Sequence, residues 1–204
     1  SLSLTGKDIR LTSDDGTHTA WDAAAYDAGQ TVVDANDNGR LLTITGAAVG
    51  DATVIRGITF TDGDASAEAT APRSGGGIYI GGGATPVLDA CTVSYCVAST
   101  AATHDQAAGG GIAVTGSGSG ATVRRCAILH NIVADNSGAQ NCCGGGIAAW
   151  EAGAVRIEHS TIADNVAGVA GVASRGGGVC VYKSDVRLTD CVIADNVAGD
   201  QSRV

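Results

Sequence analysis

His159 and Asp190 occupy matching places in two successive segments, "IEHSTIADN" from Ile157 and "LTDCVIADN" from Leu188. A histidine oriented by an aspartate is half of a nucleophilic centre, but no nucleophile stands beside this pair. The two residues also belong to a longer charged file. Arg125, His159 and Asp190 follow one another from segment to segment, and one position earlier come Asp89, Arg124 and Glu158. A surface ladder in which stacked like charges are avoided is the reading expected here.

Two other groups invite a chemical reading. "DANDNG" (34–39) places Asp34, Asn36 and Asn38 at the first ligand positions of a calcium loop. The twelfth position is Thr45, so the bidentate glutamate is missing and a plain turn is expected. Asp34, Asn36 and Asn38 stand only as weak calcium candidates, and no cofactor is required. The seven cysteines lack paired zinc spacing, and an odd number leaves at least one thiol outside any internal bridge. Cys91, Cys126 and Cys191 share a column with Ser160, a pattern expected of buried packing rather than redox chemistry. Stacked strands would bring Cys91 and Cys126 within reach of a disulfide, and Cys142, Cys143 and an outward Cys180 are candidates for bridges in loops or between subunits. Trp21 and Trp150 are either sugar platforms or covers for core edges; the second is expected.

The elements that must hold these residues announce themselves by repetition. "GGGIYI" at Gly75, "GGGIAV" at Gly109, "GGGIAA" at Gly144 and "GGGVCV" at Gly176 recur 34, 35 and 32 residues apart. Between them runs a second phrase, apolar-x-x-Cys-x-apolar-x-x-Asn. Aligned on it, Ile58, Cys91, Cys126, Ser160 and Cys191 form one column. Phe60, Val93, Ile128, Ile162 and Ile193 form another, and Asn131, Asn165 and Asn196 form a third with Gly63 and Cys96. Within each phrase the apolar residues alternate with a period of two, which is strand spacing, and three consecutive glycines would cost a helix about 3 kcal/mol. Such a unit buries its apolar face only against copies of itself. Equivalent strands then pair in parallel about 4.8 Å apart, and each column becomes a ladder.

The expected fold is therefore all-β: a single right-handed parallel β-helix of about six to seven coils with a less regular N-terminal part. Residues 1–52 make the N-terminal coils, with an irregular or short helical insert at "HTAWDAAAYDAG" that could cap the stack; residues 53–204 make regular coils of the same domain. The variable stretches 64–74, 97–108, 132–143 and 166–175 recur at one position and should form one loop surface. The glycines should mark the re-entry of the chain into the first strand of each coil.

Composition narrows the partners. A net charge of −9 argues against nucleic acid, and no apolar run approaches the roughly 18 residues that would insert in a membrane. Aromatic residues make up 3% of the 204, so the interior must be thin and aliphatic. The chain has no methionine, which reads as processing or as a piece of a longer protein, and it stops where another triple glycine is due. An edge left open there would accept a further coil, from the next copy of the chain or from a partner.

"GGGI" together with "[VIF]xxN" (Ile128 to Asn131, Ile162 to Asn165, Ile193 to Asn196) resembles the right-handed parallel β-helix repeat proteins of the pectate-lyase-like superfold. It is also similar to the "GGAI" and "FxxN" repeats of polymorphic outer-membrane adhesins. "VVDANDNGRLLTITG" followed by "TVIRGITFTDG" is similar to the opening coils of secreted bacterial β-helix proteins. The resemblance implies an extracellular or cell-surface protein. It also implies that lyase chemistry, where present, projects from the first strand of each coil. Here that outward column is Tyr79, Ala113, Ala148 and Cys180, without a carboxylate, arginine or lysine. The expectation is a non-catalytic structural or adhesive solenoid. Its partners would be itself end to end, other surface proteins, or glycans. The alternative is a carbohydrate-binding or polysaccharide-cleaving β-helix whose site lies outside these residues.

Overall fold

The computed structural model describes residues 2–6, 9–12, 31–67, 74–99, 108–134, 142–168 and 174–199. The expected insert at 18–29, Trp21 and much of the loop surface lie outside the described residues. What is described is a parallel β-solenoid, right-handed and without a helix.

Three six-stranded parallel sheets form its walls. Sheet A consists of Leu2–Thr5, Leu42–Thr45, Ile78–Gly81, Ile112–Thr115, Ile147–Trp150 and Val179–Tyr182. Sheet B consists of Arg10–Thr12, Val54–Arg56, Val87–Asp89, Ala121–Arg124, Ala154–Glu158 and Asp185–Thr189. Sheet C consists of Thr31–Asp34, Ile58–Thr61, Thr92–Ser94, Ala127–Leu129, Thr161–Ala163 and Val192–Ala194. Six strands per wall make six rungs rather than seven. Only the last four rungs carry a strand of a fourth, shorter sheet D: Val97–Ser99, Ile132–Ala134, Val166–Ala167 and Val197–Ala198.

The registers are those of the sequence columns. Leu42, Ile78, Ile112, Ile147 and Val179 align in sheet A. Ile55, Leu88, Val123, Ile157 and Leu188 align in sheet B, and Phe60, Val93, Ile128, Ile162 and Ile193 in sheet C. The alternation of apolar and polar residues turns every second side chain inward, so these files meet in one narrow aliphatic core. Phe60 is its only aromatic member among the described residues.

Corners are made by single residues in the left-handed region. Between sheets B and C these are Ala90, Arg125, His159 and Asp190, and after sheet C they are Tyr95, His130, Asp164 and Asp195. One such residue turns the strand without breaking the ladder. The triple glycines stand at the entrance to sheet A, as expected. Gly109 has φ +64, and a Cβ on Gly110 would lie 2.4 Å from the carbonyl oxygen of Gly145. The backbones of adjoining coils approach too closely there for any side chain.

At the corner between sheets C and D the asparagine column is a continuous hydrogen-bond ladder. Asn131 N and Nδ2 each donate to Asn165 Oδ1 at 2.9 Å, and Asn165 N and Nδ2 donate to Asn196 Oδ1 at 3.0 and 2.9 Å. Each carboxamide also donates to the coil before it, Asn131 to Val93 O and Asn165 to Ile128 O. Cys96 continues the file with its main chain, donating its N–H to Asn131 Oδ1 at 3.0 Å. Asn131→Ala strands the Cys96 N–H in the interior. At about 1–3 kcal/mol per buried unsatisfied group, a loss of about 2 kcal/mol is expected, measured as a lowered denaturant midpoint.

Candidate functional site

The densest polar cluster among the described residues surrounds Asp89, at the end of its strand in sheet B. Its side chain is fully buried, and three arginines close on it. Arg56, from the preceding coil, donates through Nε to Oδ2 at 2.9 Å and makes a second contact to the same oxygen through Nη2. Arg124, from the following coil, reaches Oδ2 through Nη2 at 3.0 Å. Arg125 donates through Nε to Oδ1 at 2.9 Å and through Nη2 to both oxygens at 2.6 and 2.7 Å. The register explains the convergence, since Arg56, Asp89 and Arg124 are direct partners in the ladder. Arg125 is the left-handed corner residue one step on. The expected surface ladder is thus corrected at Asp89: its rung lies in the wall, not on it. Arg56 belongs to the same file and was absent from the sequence reading, although "IRGITF" extends the frame back to it.

Burial alone would raise the Asp89 carboxyl. Hydrogen bonds from Arg125 and Arg56, with the charges of Arg124 and Arg56, outweigh it and hold the group below its ordinary value. The carboxylate is therefore ionised and saturated with donors, an anchor between three coils rather than a base. The Arg125–His159–Asp190 file does lie on the surface. His159 Nδ1 stands 3.6 Å from Asp190 Oδ2, with the two side chains 61% and 70% exposed. Ser160 and Cys191, the adjacent residues that could be nucleophiles, point the other way, into the wall.

The thiol column has its own chemistry. Cys91 Sγ faces Ile55 O at 3.5 Å, Cys126 Sγ faces Leu88 O at 3.6 Å and Cys191 Sγ faces Ile157 O at 3.3 Å, each a carbonyl of the coil before. Ser160 Oγ donates to Glu158 O of its own coil at 2.8 Å, lies 3.5 Å from Val123 O of the coil before and accepts from Cys126 N at 3.1 Å. The column is a file of X–H donors, which is why serine substitutes for cysteine in it. Cys91 and Cys126 are free thiols, as is Cys142; the bridge present is Cys143–Cys180. Burial raises Cys126 well above the ordinary thiol range, Cys96 to about 12 and Cys142 to about 11.

Cys180 lies on the outward column of sheet A, yet that column is not a solvent face. Ala113 and Ala148 are fully buried and Cys180 is nearly so. The segments ahead of the triple glycines fold back over it, and Ala108 and Cys143 form a small second core with Ala148, Cys180 and Trp150. Trp150 stacks on Tyr182 with ring centroids 4.2 Å apart, one coil on the next, so that ring face is covered by its neighbour rather than held out to a ligand. At "DANDNG", Asp34 Oδ1 accepts the N–H of Asn36 at 2.7 Å, while Asn36 and Asp37 take positive φ. Asp34 and Asn36 shape a turn of which Asn38 is the end, and Thr45 lies in a strand of sheet A. A groove of about 440 Å³ runs along the outside of sheet B, lined by Asp51, Thr85, Ala121, Thr122, Ala154 and Arg156.

These features define a parallel β-solenoid whose titratable side chains bond coil to coil. Residues 42–201 match the family described as "Right handed beta helix region", more than half of the chain, and the protein belongs to that family. No curated protein and no solved structure matches it.

Two outcomes follow. Asp89→Asn leaves three arginines around a neutral amide and should cost about 3–5 kcal/mol at neutral pH, by denaturant unfolding. Because the folded carboxyl lies below its ordinary 3.8, the charge contributes fully above that value and is lost as pH falls through the folded one. The gap between the two proteins should therefore narrow in acid. In native-state alkylation followed by mass spectrometry, half-buried Cys191 should react well before Cys91, Cys96, Cys126 and Cys142, which should label only on unfolding.

Proposed function

We propose that this protein is a non-catalytic structural or adhesive solenoid of the cell exterior, which associates with copies of itself or with other surface proteins. The observation that carries the reading is the use of its buried polar groups: Asp89 is saturated by arginines from the coils on either side, and Asn131, Asn165 and Asn196 bond one another along the stack, so these groups brace one coil against the next rather than face a substrate. The Cys143–Cys180 bridge accords with an oxidising compartment.

A second reading rests on the groove of sheet B. Its volume suits a small ligand, and Thr85, Thr122, Asp51 and Arg156 offer the hydroxyl, carboxylate and guanidinium contacts that a glycan uses. Electron microscopy of the purified 204-residue chain separates the two. Regular fibres that form without glycan are expected. Monomers at every concentration that bind or cut an acidic polysaccharide, with Arg156→Ala removing the binding, would replace the first reading by the second.

A further inference from the structure

The turn at "DANDNG" holds a pair of residues that neither assembly nor glycan binding uses. Asn38 is followed by Gly39, the one Asn-Gly step of the sequence. The carboxamide of an asparagine is open to attack by the main-chain nitrogen of the next residue, and a side chain on that residue is what ordinarily blocks the approach. Gly39 has none, and a Cβ placed there would meet nothing within 4 Å, so no neighbouring group shields it either. Asn38 is exposed, and among the described residues neither its carboxamide nor the Gly39 N–H makes a hydrogen bond. The other described asparagines differ. Asn131, Asn165 and Asn196 are bonded into the ladder and precede the β-branched Ile132, Val166 and Val197. Asn36 is exposed but precedes Asp37. The turn is also anchored around Asn38. Its N–H donates to Ala35 O at 3.0 Å, and Asp64 of the next coil donates its N–H to Gly39 O at 3.0 Å. Arg40 is buried, with Nε on Gly75 O at 3.0 Å and Nη2 on Ser74 O at 2.9 Å.

From this arrangement we infer that Asn38–Gly39 is a self-modification site, at which the chain converts its own corner into an isoaspartyl turn. The Gly39 nitrogen attacks Cγ of Asn38. The new C–N bond closes a succinimide ring, and the carboxamide nitrogen leaves as ammonia, carrying the proton given up by the Gly39 amide. Water then opens the ring at either of its carbonyls. Opening at the side-chain carbonyl leaves aspartate. Opening at the main-chain carbonyl leaves isoaspartate, whose main chain runs through the former side chain and is one methylene longer. Either product adds a negative charge beside Asp37, a residue whose N–H is bonded to Asp62 O of the next coil. Only isoaspartate lengthens the path between the Ala35 and Arg40 anchors, and that displaces Gly39 O from the Asp64 N–H. The step is irreversible, so it marks the age of the folded chain, and it needs neither a partner nor the proposed assembly.

Peptide mapping tests this on the folded chain, sampled during incubation at mildly alkaline pH. Asn38 should gain about 1 Da at least about tenfold faster than Asn36, Asn131, Asn165 and Asn196. Isoaspartate should be the larger product, read by labelling with an isoaspartyl methyltransferase. Conversion of Asn38 within about threefold of that of Asn36 overturns the site. So does methyl labelling of this turn that persists in Asn38→Ser. Aspartate without isoaspartate overturns the isoaspartyl turn. Exchange of the Asp64 amide, followed by nuclear magnetic resonance, reads the change of shape. With its acceptor displaced, it should exchange about tenfold faster in the aged chain than in the fresh one. Freshly purified Asn38→Asp, which carries the charge without the added methylene, should exchange at the fresh rate. Equal exchange in aged and fresh chain, or an equal rise in fresh Asn38→Asp, overturns the lengthened turn.

Discussion

A polar atom buried in this solenoid finds its partner in the adjoining coil or in its own strand. The interior is a single file of side chains wide on each wall, filled by Ile, Leu and Val, and the coils meet through their main chains. The buried polar groups are therefore bonded to the coils themselves. The asparagines bond a carbonyl below and a carboxamide above. The thiols of the Cys91 file and Ser160 sit between a carbonyl below and one two residues back in their own coil, and Cys96 Sγ bonds Ser94 O of its own coil. Asp89, which points out of its sheet, bonds arginines from the coils on both sides. Leaving a buried amide or carboxylate unbonded costs more than one made bond gains. The same constraint thus forces the repeat to be exact in register, and explains why the polar columns identify it better than the aliphatic ones.

The columns were legible because the stacking is direct. Once Cys91, Cys126, Ser160 and Cys191 are aligned, the frame places Asn131 above Cys96 and Ile128 above Val93 without further information. What was not legible depends on how far a side chain stands from the axis. Periodicity says whether a residue points in or out of a sheet, and Asp89, Cys180 and Ala148 do point out. It does not say whether something lies over them. Three long arginine side chains lie over Asp89, and a returning segment lies over Cys180 and Ala148. That segment begins in stretches of Ala, Ser and Gly that carry no pattern of their own, so its docking could not be read. For the same reason Cys143 was known only as a candidate, and its partner only as an outward residue.

The corners change how the charged files should be read. His159, Asp190, His130, Asp164 and Asp195 all sit at left-handed φ. Asp, Asn and His are enriched at such positions among non-glycine residues. A histidine beside an aspartate is then what two adjacent corners of this geometry select, without any reaction to perform. The inward neighbours of these corners, Ser160 and Cys191, are drawn into the wall by the same turn that puts the His–Asp pair outside. The sequence-adjacent residues of a would-be centre are thereby held on opposite sides of one strand.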